Sequence, residues 1–314
     1  MRQGNRLLFY IYLANLSSIR MRTCIRPARA NTCVTALTPL EGEIGHNPIL
    51  QHPNKTMKHP LALSFLLKFA FCLIFVGPII GCSPVRITLL CLGDGFTAGS
   101  GATSYQSWPS LLQNRMSDKY KKVINSGLDG DTVRNAIYRV KDDIVQYQPD
   151  VLFIFLGTGD VLPLGSVAAA NEQLPTLKSD LSKLMTSIAN GVMEVQANVL
   201  YYQHYKMYKI YIINPFGTTK AEAAALHAAL KRKGLFLQDD TESFHAMLMA
   251  HSKMLKEFAH ARGFGFIDNI WHGILDVPAN MSEDGIHPNA VGYKVMENNI
   301  FAQLKPYLKK LGLI

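Results

Sequence analysis

Cysteine is scarce and poorly spaced for most of its uses. The five in 314 residues, Cys24, Cys33, Cys72, Cys82 and Cys91, contain no zinc-site spacing, and five is the wrong number for a disulfide scaffold. His204, His245, His251, His260 and His272 show no ligand spacing with carboxylates, so neither a metal nor another cofactor is expected. Internal repeats and low-complexity tracts are absent, and with aromatics at 10% the chain is not collagen, coiled coil or mainly disordered. A basic surface is missing too, although the formal net charge is +9. Residues 1–82 hold +7 of it and leave +2 for residues 83–314, so no nucleic-acid footprint lies over the folded part.

What is present begins with one long apolar run. Residues 61–82 read LALSFLLKFAFCLIFVGPIIGC, broken only by Lys68 and preceded by Lys58 and His59. From Lys68 to Cys82 the run is short for a span of about 20 residues and ends in small side chains, the pattern of a signal peptide. Ile79-Ile80-Gly81-Cys82 resembles a bacterial lipobox, which implies a lipidated Cys82 as the mature N-terminus. The alternative is an uncleaved membrane anchor. Either version tethers the domain outside the cytoplasm, at the cell envelope. Met57 is a natural start for such a signal, which leaves residues 1–56 as an over-called start or a disordered extension without function. The expected organisation is therefore an extension at 1–56, a signal or anchor at 57–82 and one domain at 83–314.

Within that domain strands and helices alternate. Arg86–Leu92 and Val151–Leu156 are continuous apolar runs that end in glycine, as strands buried on both faces do. Short strands are expected at Val123–Asn125, Lys209–Ile213 and Phe264–Ile267. Helices are expected at Trp108–Arg115, Asp131–Tyr147, Leu174–Ala189, Glu242–Ala261 and about Ala290–Leu311. This rhythm gives a three-layer α/β/α sandwich around a parallel sheet, flavodoxin-like, with ligands at the carboxyl ends of the strands. Gly191–Tyr208, with Tyr201, Tyr202, Tyr205 and Tyr208, reads as an insertion.

The turns at those strand ends carry the informative residues. They are Gly93-Asp94-Gly95-Phe96-Thr97, then Asn125-Ser126-Gly127-Leu128-Asp129-Gly130-Asp131-Thr132, then Gly157-Thr158-Gly159-Asp160; near the C-terminus stands Asp284-Gly285-Ile286-His287-Pro288-Asn289. In this order, over about Arg86 to Leu311, they resemble the four blocks of the SGNH (GDSL) hydrolases of the small bacterial esterase, thioesterase and lysophospholipase type. The resemblance implies ester hydrolysis by a serine nucleophile in the first block, with oxyanion donors from a second-block glycine N–H and a third-block asparagine. It also implies an aspartate-oriented histidine as base. Here Asp284 and His287 keep the last block and Gly130 fits the second. The nucleophile position is Gly95, however, and the asparagine position is Gly159.

Glycine has no side chain and does neither job. Losing a nucleophile costs around 10⁶ in rate in a well-studied serine hydrolase, and losing one oxyanion donor about 10²–10³. Impaired turnover on an ester-bearing lipid or glycan is therefore expected. A non-catalytic envelope binding module is the alternative. Thr97, Ser100, Ser126 and Thr158 are the hydroxyls close enough in sequence to be considered as substitutes. Gly93–Ala98 also satisfies the G-x-G-x-x-A dinucleotide fingerprint, but no acidic residue ends the second strand to hold a ribose. Asp94, Asp160 and Asp268 read as turn or cap acids. Membrane-extracted protein is expected to begin at a lipidated Cys82. Its intact mass checks this, and an unprocessed, unlipidated N-terminus overturns it.

Overall fold

A computed structural model describes residues 87–116, 121–198, 207, 209–312 and 314. The chain divides into two units, Met1–Ser83 and Pro84–Ile314, and every described residue falls in the second. The extension at 1–56, the apolar run with Cys82, and Tyr201, Tyr202, Tyr205 and Tyr208 lie outside the described residues. Among the described residues no helix is long and apolar enough to cross a membrane.

Five parallel strands form the sheet: β1 (Ile87–Gly93), β2 (Lys121–Gly127), β3 (Val151–Phe155), β4 (Lys209–Ile213) and β5 (Gly265–Ile267), in the order β2-β1-β3-β4-β5. Cys91 is in register with Asn125 on one side and Phe153 on the other. The sequence winds outward from β1 in both directions, so the switch point lies between β1 and β3, where such sheets bind ligands. Leu89 to Leu92 are completely buried and Val151 to Phe155 nearly so, because helices cover both faces of these central strands. Burial also pushes up the Cys91 thiol, which is unpaired and sealed in this core.

The helices are α1 (Gly95–Ala98), α2 (Trp108–Arg115), α3 (Val133–Tyr138), α4 (Thr158–Val161), α5 (Val167–Asn198), α6 (Lys220–Arg232), α7 (Thr241–Ala261) and α8 (Ala290–Lys310). α2 packs on α8, while α3, α5, α7 and α6 pack in succession. With right-handed crossovers this puts the two groups on opposite faces and completes the sandwich.

Several elements depart from the pattern expected of the sequence. β2 runs longer than Val123–Asn125 because it is an edge strand, where Lys122 and Asn125 are exposed and Ser126 is bound by Arg139. The helix expected over Asp131–Tyr147 is α3 followed by a wider π turn at Lys141–Val145. α5 overruns Leu174–Ala189 at both ends and runs on through Gly191–Asn198, so the described part of the Gly191–Tyr208 stretch is helix. Gly191 is a packing glycine: a Cβ there would overlap the Val145 side chain. α6 has no counterpart among the expected helices, yet its start is a capping box. Thr219 Oγ1 accepts from the Glu222 N–H at 3.2 Å, and Glu222 Oε2 accepts from the Thr219 N–H at 2.7 Å.

One close approach positions the strand ends. A Cβ on Gly127 would overlap the backbone of Thr97 and Ala98, so the end of β2 lies directly against α1. Gly127→Ala is expected to destabilise the domain by about 1–3 kcal/mol. Urea unfolding followed through Trp108 and Trp271, both buried, measures it.

Candidate active site

The floor of the cleft is built from acids at the carboxyl ends of β1 to β3. Asp94 caps α1 by accepting the Phe96 N–H at 3.1 Å, and its other oxygen accepts the Thr158 hydroxyl. Burial, with Asp131 and Asp160 nearby, pushes its carboxyl up to about 7. Asp160 reaches across to the next loop and accepts the Val133 N–H at 2.9 Å, capping α3; burial pushes it up to about 6. Asp268 accepts from the Asn269 N–H at 2.9 Å and from the Asn214 side chain at 2.8 Å. All three read from the sequence as turn or cap acids, and all three accept backbone N–H groups.

Arg139 joins these loops, and nothing in its sequence context marks it. Its guanidinium donates to Asp131 Oδ2 at 2.9 and 2.5 Å, to the Ser126 carbonyl at 2.9 Å and to the Gly93 carbonyl at 3.1 Å. One fork-shaped donor thus ties the ends of β1 and β2 to the loop between β2 and α3. It rises from the far end of α3, eight residues from Asp131, so no local spacing reveals it.

Asp284 and His287 come together as expected. His287 Nδ1 lies 2.6 Å from Asp284 Oδ2. Because a carboxylate only accepts, the imidazole holds its hydrogen on Nδ1 and leaves Nε2 as the basic nitrogen. Asp284 Oδ1 accepts the N–H groups of Ile286 and His287 at 2.8 and 2.9 Å and the Ser282 hydroxyl at 2.7 Å. Partial burial alone would raise this carboxyl, but the bonds from His287, Ile286 and Ser282 outweigh it and hold it well below the usual carboxylate range. The ring of Phe96 stands 4.9 Å from that of His287.

His287 Nε2 lies 3.2 Å from the point a Cβ of residue 95 would occupy. The basic nitrogen is therefore aimed at Gly95, which has no side chain to meet it. The space is not empty. A Cβ on Gly95 would overlap Asp129 Oδ1, and Ser100 Oγ lies 3.0 Å from the same point. A Cβ on Gly159 would overlap the Asp131 carbonyl oxygen. The loop after β2 thus fills both vacated places. Gly130, at φ +72°, faces open space, and neither its N–H nor that of Gly95 has an acceptor among the described residues. Both N–H groups are unengaged by the described residues.

Of the other hydroxyls, Thr97 is fully buried, Ser126 is engaged by Arg139 at 3.2 Å and Thr158 is spent on Asp94. The loop after β1 is not a dinucleotide site: α1 has four residues, and Asp94 already takes the Phe96 N–H that a phosphate would need. Among the described residues no group of His, Cys, Asp and Glu is placed to hold a metal ion.

A five-stranded parallel sheet between helix layers, with an Asp–His pair at its carboxyl edge, defines the SGNH hydrolase class of α/β fold. Residues 91–295 match the GDSL-like lipase/acylhydrolase family, and the chain belongs to it. It is 25% identical over 220 residues to thioesterase 1/protease 1/lysophospholipase L1 of Escherichia coli (strain K12), covering 70% of this chain and 84% of that protein. It is 38% identical to an arylesterase of Vibrio mimicus over 76 residues, 24% of this chain and 38% of that enzyme, well under two thirds of its length. A crystal structure of TesA superposes with a TM-score of 0.50 at 21% identity, over 70% of this chain and 98% of that one.

Asp94 and Asp284 have opposite pH signatures. Folding raises the Asp94 pKa from 3.8 to about 7, so the folded chain keeps a proton that the unfolded chain has released. Its contribution is present below about pH 4 and is lost as pH rises to about 7. Asp284 acts the other way, stabilising above the carboxylate range and losing its contribution on acidification. Asp94→Asn is expected to flatten the decline in stability between about pH 4 and pH 7, measured as urea midpoints across that range.

Proposed function

We propose that residues 83–314 form an ester hydrolase of much reduced turnover, anchored at the cell envelope through Cys82 and acting on ester-bearing lipid or glycan. The single observation that carries this reading is the intact Asp284–His287 pair, with Nε2 3.2 Å from the Cβ position of a glycine. Base and orienter are built and aimed, so proton transfer remains possible; the missing hydroxyl at Gly95 and amide at Gly159 lower its yield. The names of the relatives, thioesterase, lysophospholipase and arylesterase, support an acyl ester as the ligand. The apolar run before Cys82 supports an exported, membrane-tethered location.

A second reading, a binding module without turnover, is favoured by one feature. The Asp131 carbonyl stands where the oxyanion asparagine would be, and an oxygen there repels the charge that an N–H would stabilise.

Hydrolysis of short and medium acyl nitrophenyl esters by the full-length chain separates the two. Slow turnover is expected, falling about 10²–10⁴-fold in His287→Ala. Because Asp129 obstructs residue 95 only with the end of an exposed side chain, Gly95→Ser combined with Asp129→Ala is expected to raise the rate at least about 10²-fold. A parent with no turnover under any condition leaves the binding module; turnover indifferent to His287→Ala overturns the hydrolase reading.

A further inference from the structure

We infer that Ser100 is the nucleophile of the residual ester hydrolysis, with His287 as its base, an assignment that rests on the ester-hydrolase reading above. Ser100 stands between two glycines that the fold requires. Gly99 and Gly101 have φ of +101° and +91°. A Cβ on Gly99 would lie 2.7 Å from Ser107 Cβ, and one on Gly101 would lie 2.6 Å from the Pro288 carbonyl oxygen and 2.9 Å from His287 Cβ. The missing side chain at 101 therefore lets the Asp284–His287 turn pack directly against the residue that follows Ser100.

The backbone of Ser100 is fixed at both ends. Its N–H donates to the Gly95 carbonyl at 2.9 Å, and its carbonyl accepts the Tyr293 hydroxyl at 2.9 Å. Tyr293 is fully buried, and burial together with Asp94, Asp129 and Asp284 pushes its hydroxyl far up, so it stays a neutral donor. A serine held this way cannot drift from the cleft.

Its side chain enters the space left by Gly95. Ser100 Oγ and His287 Nε2 lie 3.0 and 3.2 Å from one and the same point, the absent Cβ. At rest the hydroxyl donates to Asp129 Oδ1 at 3.1 Å, which keeps it turned into the cleft. Ser100 Oγ and His287 Nε2 thus border one small space, and release of Asp129 Oδ1 frees the hydroxyl to donate into it toward His287 Nε2. Thr97, Ser126 and Thr158 are buried or engaged elsewhere, so Ser100 alone of the four considered hydroxyls has this access.

The chemistry balances without a further reactant. The Ser100 hydroxyl passes its proton to Nε2 as its oxygen bonds to the ester carbonyl carbon, and the carbonyl π pair moves onto the carbonyl oxygen. That pair returns as the bond to the alcohol breaks, and the departing alkoxide takes the proton from Nε2. Water then gives a proton to Nε2 and attacks the acyl-Ser100 carbonyl. The acid leaves, and Ser100 recovers its proton from Nε2.

The test treats the full-length chain with a fluorophosphonate and maps the adduct by peptide mass, beside ester turnover. The adduct is expected on Ser100, absent in Ser100→Ala and in His287→Ala, with turnover in Ser100→Ala reduced at least about 10²-fold. Ser100→Cys keeps the test open if Ser100→Ala fails to fold: iodoacetamide is expected to alkylate residue 100, more slowly on a His287→Ala background. Turnover that persists in Ser100→Ala, or an adduct on another residue, overturns Ser100 but leaves the hydrolase reading standing. A parent with neither turnover nor adduct, together with His287-independent alkylation of Ser100→Cys, overturns both.

Discussion

The carboxyl edge of the sheet depends on how the loop after β2 closes onto two glycines. Arg139 draws Asp131 inward with a two-pronged bond and holds the ends of β1 and β2 with the same guanidinium. Once Asp131 is seated, its carbonyl enters the space beside Gly159, and Asp129, two residues earlier, brings its carboxylate to Gly95. Folded proteins do not leave side-chain-sized voids in packed regions. Oxygen atoms of Asp129 and Asp131 thus stand where side chains at 95 and 159 would lie, and this part of the carboxyl edge is lined by acceptors.

The acids of the cleft divide by environment. Asp94 and Asp160 are buried and pushed toward neutrality, whereas Asp284 sits in a turn that offers two N–H groups, a hydroxyl and an imidazole, and stays ionised. Residues of one chemical type hold different protonation states because water and hydrogen-bond donors reach them unequally. The ionised one faces the imidazole, the arrangement in which a histidine keeps a free basic nitrogen. The two with raised pKa are buried beneath the strand ends, where they hold loop to helix.

Much of this was legible in the sequence because the signals are local. β1 and β3 are unbroken apolar runs since both faces of a central parallel strand are covered. Asp284 and His287 were legible because three residues of a tight turn bring carboxylate and ring together. The edge strand β2 was underestimated, since its polar residues face water. α6 goes unread in the sequence although Thr219 and Glu222 spell a capping box. Arg139, and the entry of Asp129 and Ser100 into the space at Gly95, depend on loops that meet only in three dimensions. No spacing along the chain encodes them.

The two glycine positions differ in what occupies the space beside them, and the difference decides which larger residues the fold admits there. At residue 95 the occupant is the tip of an exposed side chain, free to swing aside when a larger residue arrives. At residue 159 it is main chain, pinned because the Asp131 N–H donates to the Leu128 carbonyl at 3.1 Å and its carboxylate is gripped by Arg139. A larger residue at 95 displaces only a side-chain tip, whereas an asparagine at 159 meets the Asp131 backbone.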